Sequence, residues 1–177
     1  MKTMALREII KIPDPVLREE SAPIERVDAD LKRLMDDMLE TMYDAPGIGL
    51  AAPQIAITRR LIVMDVAKRE DENTPEPIVM VNPEIVTSSD ERAINEEGCL
   101  SIPEFFAEVE RPSSVLVKYL DRNGKKQERQ CEGVLATVVQ HEIDHLNGRL
   151  FIDLLSKLRR DRIIKKFAKA KKALIGE

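Results

Sequence analysis

The chain has 177 residues, of which 43% are apolar and 34% charged, and its net charge is −4. That is the composition of one soluble globular domain spanning residues 1–177, with an aliphatic core because tryptophan is absent. The N-terminus alternates charge and apolar residues too finely for a signal peptide. The longest uncharged run, residues 45–58, holds two prolines and two glycines and is shorter than the ~20 apolar residues of a membrane span, so the expectation is a cytoplasmic protein with no membrane span and no DNA partner.

In chain order, residues 1–27 read as an irregular arm. Pro13 and Pro15 fix two backbone φ angles and block regular structure there, and Val16 and Leu17 are placed to tuck the arm onto the core. Asp28 or Asp30 caps a first helix in which Leu31, Leu34, Met35, Met38, Leu39 and Met42 share one face; Pro46-Gly47 stops it. Residues 47–54, Gly-Ile-Gly-Leu-Ala-Ala-Pro-Gln, are poor material for a helix or strand interior and read as a tight connector, with glycines that allow close approach of a backbone or a ligand. Strands are expected at 61–66, 78–81 and 84–87, the last two separated by Asn82-Pro83, with a charged exposed loop at 68–77. Residues 115–120 and 126–131 flank Asp121-Arg122-Asn123-Gly124, a hairpin signal. Residues 133–147 form a second helix, buried and central because Val134, Leu135, Val138 and Val139 lead into it. A third helix covers 155–175, with Ile163, Phe167, Ala170 and Leu174 in one stripe.

Charge sets that last segment apart: residues 156–177 hold nine Lys/Arg and two Asp/Glu, against a net of −11 for the rest. A basic amphipathic helix is a solvated face, a membrane-surface element or an RNA contact. Together these elements predict an α+β fold, with antiparallel or mixed sheets packed around a central helix and further helices toward the N-terminus and at the C-terminus.

Both histidines fall in the second helix, in His141-Glu142-Ile143-Asp144-His145. At i and i+4 two imidazoles share a helix face about 5–6 Å apart at Cβ. They can grip one cation there, with the intervening glutamate as proton carrier. These five residues alone are as readily a solvated polar face. A catalytic ion of this kind takes three protein ligands and a water, and the usual third ligands fail. There is no third histidine, and Phe151 stands where H-x-x-G-x-x-H needs one. Asp153 is too close to His145 to sit on a separate helix, and Asp161 lies in a basic segment. The cysteines remain. Cys99 follows Gly98, which gives backbone freedom beside a site; Cys131 closes a strand and suits a small buried apolar role. Cys131 is also the one spare ligand that a closed, purely structural site would require, and in that rival reading Glu142 is an ordinary helix charge.

Three segments, Gly47-Ile48-Gly49-Leu50-Ala51-Ala52-Pro53-Gln54, Glu97-Gly98-Cys99-Leu100-Ser101 and Gln140-His141-Glu142-Ile143-Asp144-His145, resemble in order and separation the three motifs of the peptide deformylases. Pro13-Asp14-Pro15-Val16-Leu17-Arg18 resembles that family's N-terminal segment, and the tail resembles bacterial members that end in a C-terminal helix. The resemblance covers essentially the whole chain; Pro53 is a local departure, where some members carry another small residue. It implies Cys99, His141 and His145 as metal ligands, with water as the fourth. The implied ion is Fe2+, with Zn2+, Ni2+ or Co2+ able to substitute, and one thiolate with two imidazoles suits these metals and not Mg or Ca.

The implied reaction is hydrolysis of the formyl group from N-formylmethionyl nascent chains, with Glu142 moving the proton and the Gln54 amide and Leu100 backbone N–H as oxyanion donors. The peptide is expected to add as a strand along Ile48, Gly49 and Gly98. Its methionine would lie in a slot of Ile48, Val134, Val138 and the His141 ring, with Glu97 and Arg111 paired near the pocket. In that setting the basic tail becomes a candidate ribosome contact.

Overall fold

The unbroken apolar run Leu61-Ile62-Val63-Met64 organises the packing, and all four side chains are fully buried. A strand points alternate side chains to opposite faces, so such a run needs cover on both sides. Helix α1 (Ala29–Asp44) supplies one cover: Leu31, Leu34, Met35, Met38 and Met42 pack against Leu61 and Val63. Helix α2 (Gly133–Leu146) supplies the other: Leu135, Ala136, Val138, Val139 and Ile143 pack against Ile62 and Met64. Asp28 caps α1, its carboxylate accepting the Leu31 N–H at 2.8 Å.

The computed structural model describes residues 5–70 and 73–176. The first four residues of the arm, residues 71–72 of the charged loop and the last residue of the tail therefore lie outside the described residues. The strands are β1 (Gly49–Ala51), β2 (Leu61–Met64), β3 (Ile78–Ser88), β4 (Arg92–Cys99), β5 (Ile102–Pro112), β6 (Ser114–Leu120) and β7 (Lys126–Glu132). They form a five-stranded sheet in the order β1-β2-β3-β6-β7 and a separate β4-β5 hairpin. Every strand pair is antiparallel, so the α+β class holds without the mixed sheet that had been an option. A third apolar cluster joins the hairpin to the chain ends: Ile102, Ala107 and Val109 pack with Leu17 of the arm, with Phe151 and with Phe167 of helix α3 (Lys157–Leu174).

Four expectations need correction. The strands at 78–81 and 84–87 are one strand. Pro83 is absorbed where the β3–β6 register shifts, Asn82 takes φ 51°, and the Asn82 amide bonds both the Ile24 N–H and its carbonyl at 2.8 Å. A bulge is where a strand tolerates proline. The supposed connector at 47–54 holds β1 and a 3-10 turn, Ala52–Ile55. The β4–β5 hairpin was not anticipated, because its exposed face is rich in glutamate and blurs the apolar alternation. Finally, the α3 stripe is covered only in part: Phe167 is buried and Ile163 half-buried, whereas Ala170 and Leu174 are exposed.

Candidate active site

Three separate elements converge. Helix α2 delivers His141, Glu142 and His145; the end of β4 delivers Cys99; the 3-10 turn after β1 delivers Gln54. The hairpin register shifts between Gly98 and Cys99, and the irregularity brings the thiol to 3.4 Å from His145 Nε2. The ligand atoms of Cys99, His141 and His145 all lie within 4.8 Å of one another, the one such group among the described residues. The two imidazoles meet edge to face at 5.0 Å. Cys131 is fully buried in the apolar cluster under α2, with Val115 and Val117, away from this group. It supplies no fourth ligand, so the described residues do not form a closed structural site.

Behind His141 stands a charged relay. Arg111 grips both Glu97 oxygens, at 2.6 and 2.9 Å, and reaches Asp144 at 2.8 Å. Glu97 Oε1 lies 3.0 Å from His141 Nδ1. Burial pushes the Glu97 carboxyl upward, but its bonds to His141 and Arg111 outweigh this and hold it below the usual range. An ionised Glu97 can only accept, so the His141 proton sits on Nδ1 and the Nε2 lone pair remains for a metal.

The three titratable side chains of α2 at this site are shifted in different directions. Burial works against a charge on His141, yet Glu142, Cys99 and Glu97 together raise its pKa well above the ordinary value. Burial and His141 push His145 well down. Burial lifts Glu142 to about 7 against the pull of His141, and its Oε1, like His145 Nδ1, has no hydrogen-bond partner among the described residues. A thiol, two imidazoles and an unpartnered carboxylate in one buried pocket fit a thiophilic divalent ion.

A cleft of about 620 Å³ opens on this group. Ile48, Gly49, Glu97, Gly98, Leu100, Val134 and Val138 line it together with Gln54, Cys99, His141 and Glu142. Arg111 does not; the structure places it behind the wall, where it holds Glu97. At Gly49 a Cβ would come within 2.7 Å of Glu142 Oε2 and 2.9 Å of Val138, so only glycine lets the β1 backbone run so close to the carboxylate. Among the described residues strands β1 and β4 each pair on one side only, and residues of both line the cleft. The Gln54 amide is held by the Ala51 N–H on its oxygen at 3.0 Å, and its nitrogen donates to Ser101 Oγ at 3.0 Å. Its NH2 thereby faces Cys99 Sγ, 3.6 Å away.

Sequence reasoning gave no role to Ser101 or Asp144, although both sit inside the motif segments. Nor did it find Glu96, Glu104, Phe105 or Phe106, which extend the cleft. An aromatic pair close after the cysteine, in a chain with four phenylalanines, was the available signal.

Fold and site together set a Cys-His-His group that could hold a metal ion beside a buried carboxylate. The polypeptide deformylase family matches residues 6–161, and the chain belongs to that family, whose members are metal-dependent hydrolases that remove the formyl group from nascent peptides. A peptide deformylase of Mesorhizobium japonicum is 62% identical over 169 residues, covering 96% of this chain and 95% of that protein. One from Rhizobium meliloti is 59% identical and covers 96% of both. Among solved structures, peptide deformylase from Ehrlichia chaffeensis superposes with a TM-score of 0.91 at 39% identity, over 97% of this chain and 99% of that one. A structure of the Ehrlichia chaffeensis protein in complex with actinonin gives 0.90 at 41% identity, over 96% and 99%.

Proposed function

We propose that this chain releases formate from N-formylmethionyl peptides, with Glu142 as general base and acid, Gln54 and Leu100 as oxyanion donors, and Cys99, His141 and His145 as holders of a divalent ion. One observation carries the reading: a buried carboxylate oxygen on Glu142, without a partner among the described residues, beside a Cys-His-His set whose atoms lie within 4.8 Å. The ion supplies, when bound, a lowered water pKa and so a hydroxide-like nucleophile near neutrality.

The chain's own residues do the rest. Glu142 takes the proton of the attacking water; the water oxygen bonds to the formyl carbon, the carbon–nitrogen bond breaks, and Glu142 returns the proton to the leaving amine. Gln54 Nε2, held in orientation by Ala51 and Ser101, and the Leu100 N–H donate to the developing oxyanion. Each donor is worth on the order of 10²–10³ in turnover. The peptide backbone adds between the free edges of β1 and β4, along Ile48, Gly49 and Gly98. Backbone pairing is tolerant of sequence, as suits an enzyme that meets many chains. The methionine side chain lies against Val134, Val138 and the His141 ring. Residues 1–177 work as one catalytic unit in the cytoplasm, on Fe2+ with Zn2+, Ni2+ or Co2+ as substitutes. Formate release from a formyl-Met peptide, with anaerobically loaded iron compared with zinc, tests both the reaction and the metal; no release with either overturns the reading.

Cys99→Ala is expected to lose the ion, and Cys131→Ala to keep it at some cost in stability, as read by metal content after dialysis. The reverse pattern would exchange the two cysteines' roles.

Helix α3 is a second element of this reading. Its Phe167 docks edge to face on Phe105, with ring centroids 6.0 Å apart, and Lys165, Lys169 and Lys172 stand exposed. A basic face of this kind suits ribosomal RNA phosphate close to where the substrate emerges. Reversing these three lysines to glutamate leaves Phe167 in place and is expected to weaken ribosome binding and flatten its salt dependence. Unchanged affinity and salt slope would dismiss the contact.

A further inference from the structure

The arm that precedes α1 is bonded to each of the three elements that build the site. Ile10 donates its N–H to the Gln54 carbonyl at 2.7 Å, and Ile12 donates its N–H to the Ser101 carbonyl at 3.1 Å. Further on, the Ser21 N–H bonds the Leu146 carbonyl at 2.8 Å, one residue past His145. Gln54 lies in the 3-10 turn after β1, and Leu100-Ser101 is the turn between β4 and β5. These turns carry the two proposed oxyanion donors, yet they belong to different sheets, and among the described residues no strand pairing joins those sheets. The arm joins them through its main chain. Two residues of chain span at most about 7 Å, so the Gln54 and Ser101 carbonyls are held to one spacing. The arm is itself anchored. Upstream, the Arg7 guanidinium grips one oxygen of Asp37 on α1 at 2.9 and 3.2 Å, and the Arg7 N–H bonds Thr41 Oγ1 at 3.0 Å. Downstream, Leu17 is buried. Between these anchors Ile12 is buried and Ile10 half-buried, in the apolar cluster that also takes in Cys99 and Ile102.

We infer that the main chain of Ile10 and Ile12 is a strap that positions the oxyanion donors, holding the turn that carries Gln54 at a fixed distance from the turn that carries Leu100. This rests on the deformylase reading above, in which both donors serve one oxygen. A donor helps only when it stands about 2.7–3.1 Å from where the oxyanion will be, and two donors on separate sheets must meet that demand together. The Ala51 and Ser101 bonds aim the Gln54 amide; the strap fixes the backbone from which it is aimed. Neither isoleucine lines the cleft, so both act through the donors and not on the peptide. The working atom is a backbone N–H, so a side-chain change that keeps it is mild and a change that removes it is not.

In the full-length, metal-loaded enzyme, Ile10→Pro removes the N–H and Ile10→Val keeps it. A third variant carries an ester in place of the Ile9–Ile10 amide; it loses the N–H alone and decides the matter if proline, which also fixes φ, disturbs the fold. For each, kcat and KM are measured on a formyl-Met-Ala peptide, with metal content from the same preparation. The proline and ester variants are expected to lower kcat about tenfold, short of the 10²–10³ that follows outright loss of a donor. KM is expected to stay within about twofold and metal content to stay unchanged, because the loss belongs to the transition state. Ile10→Val recovers kcat to within about twofold of wild type. Placed on Gln54→Ala, which leaves the Gln54 carbonyl in place, the ester costs no more than about twofold further, since the donor it would misplace is already gone. Unchanged kcat in the ester variant, a loss confined to KM, or an equal loss on Gln54→Ala overturns the inference; the last result would leave the arm a support of stability alone. Absence of formate release from the wild type would instead sink the deformylase reading beneath it.

Discussion

Replacing Glu142 with glutamine is expected to lower formate release by about 10²–10⁴-fold while the ion stays bound. Glutamine keeps the shape of a side chain that is 3% exposed and packs beside Gly49 and Val138, so the variant opens no cavity. It keeps an acceptor oxygen but cannot take a proton from water. The proposed ligands Cys99, His141 and His145 are untouched, so metal content is expected to match the wild type. The loss should fall on kcat, because proton transfer belongs to the transition state and not to peptide binding. Formate release together with metal analysis on the same preparation checks both halves. Turnover within a few-fold of wild type would move the base to another residue, and loss of the ion would make Glu142 a structural support.

Arg111→Met is expected to cost about 3–5 kcal/mol of stability, the usual result of breaking a buried ion pair from one side. Arg111 and Glu97 are 6% and 5% exposed, and Arg111 also holds Asp144 at 2.8 Å. Methionine fills the aliphatic volume but leaves Glu97 facing one imidazole without its cation. Urea unfolding with an unchanged slope and a lower midpoint is the expected reading. The pH dependence has a definite sign. Glu97 is held below the ordinary carboxylate range, so its contribution is fully present above about pH 4.3 and is lost as pH falls through the lower folded value. Without Arg111 that loss should begin at a higher pH. Metal affinity should also fall, by roughly 10–100-fold, because Glu97 orients His141. The double variant Glu97→Gln with Arg111→Met should recover part of the stability. An unmoved midpoint in the single variant would show that Arg111 is not what holds the β4–β5 hairpin to α2.

Several parts of this molecule are legible in local pattern. The one-sided spacing from Leu31 to Met42 and the stop at Pro46-Gly47 define α1. The Asn123-Gly124 turn between apolar runs defines the β6–β7 hairpin. The i, i+4 histidines within a valine-rich run define α2 and the helical half of the site. Each rests on short-range spacing, and short-range spacing is written directly in the chain.

Other parts are not local. Asn82-Pro83 looked like a strand end because proline lacks an N–H; only the β6 register and the Ile24 backbone, 58 positions away, make it a bulge inside one strand. The hairpin that carries Cys99 was hidden because its outer face is acidic and its inner face buries a charged pair. Glu97 and Arg111 were expected to pair near the pocket, but that Glu97 reaches His141 and Arg111 reaches Asp144 depends on how β4 and β5 lie against α2.

By itself the sequence determined the helical pair of imidazoles with Glu142 between them, the candidate cysteines and the lone amide at Gln54, since these are matters of residue identity and spacing. Only the tertiary structure decided how close Cys99 comes to the histidines, that Glu97 faces Nδ1 of His141, that β1 and β4 line one cleft, and that Phe106 lies over Gly98. The physical reason is that these contacts join residues from different sheets and helices. Their geometry is set by how an apolar strand run is covered on both faces, which no window of the chain contains.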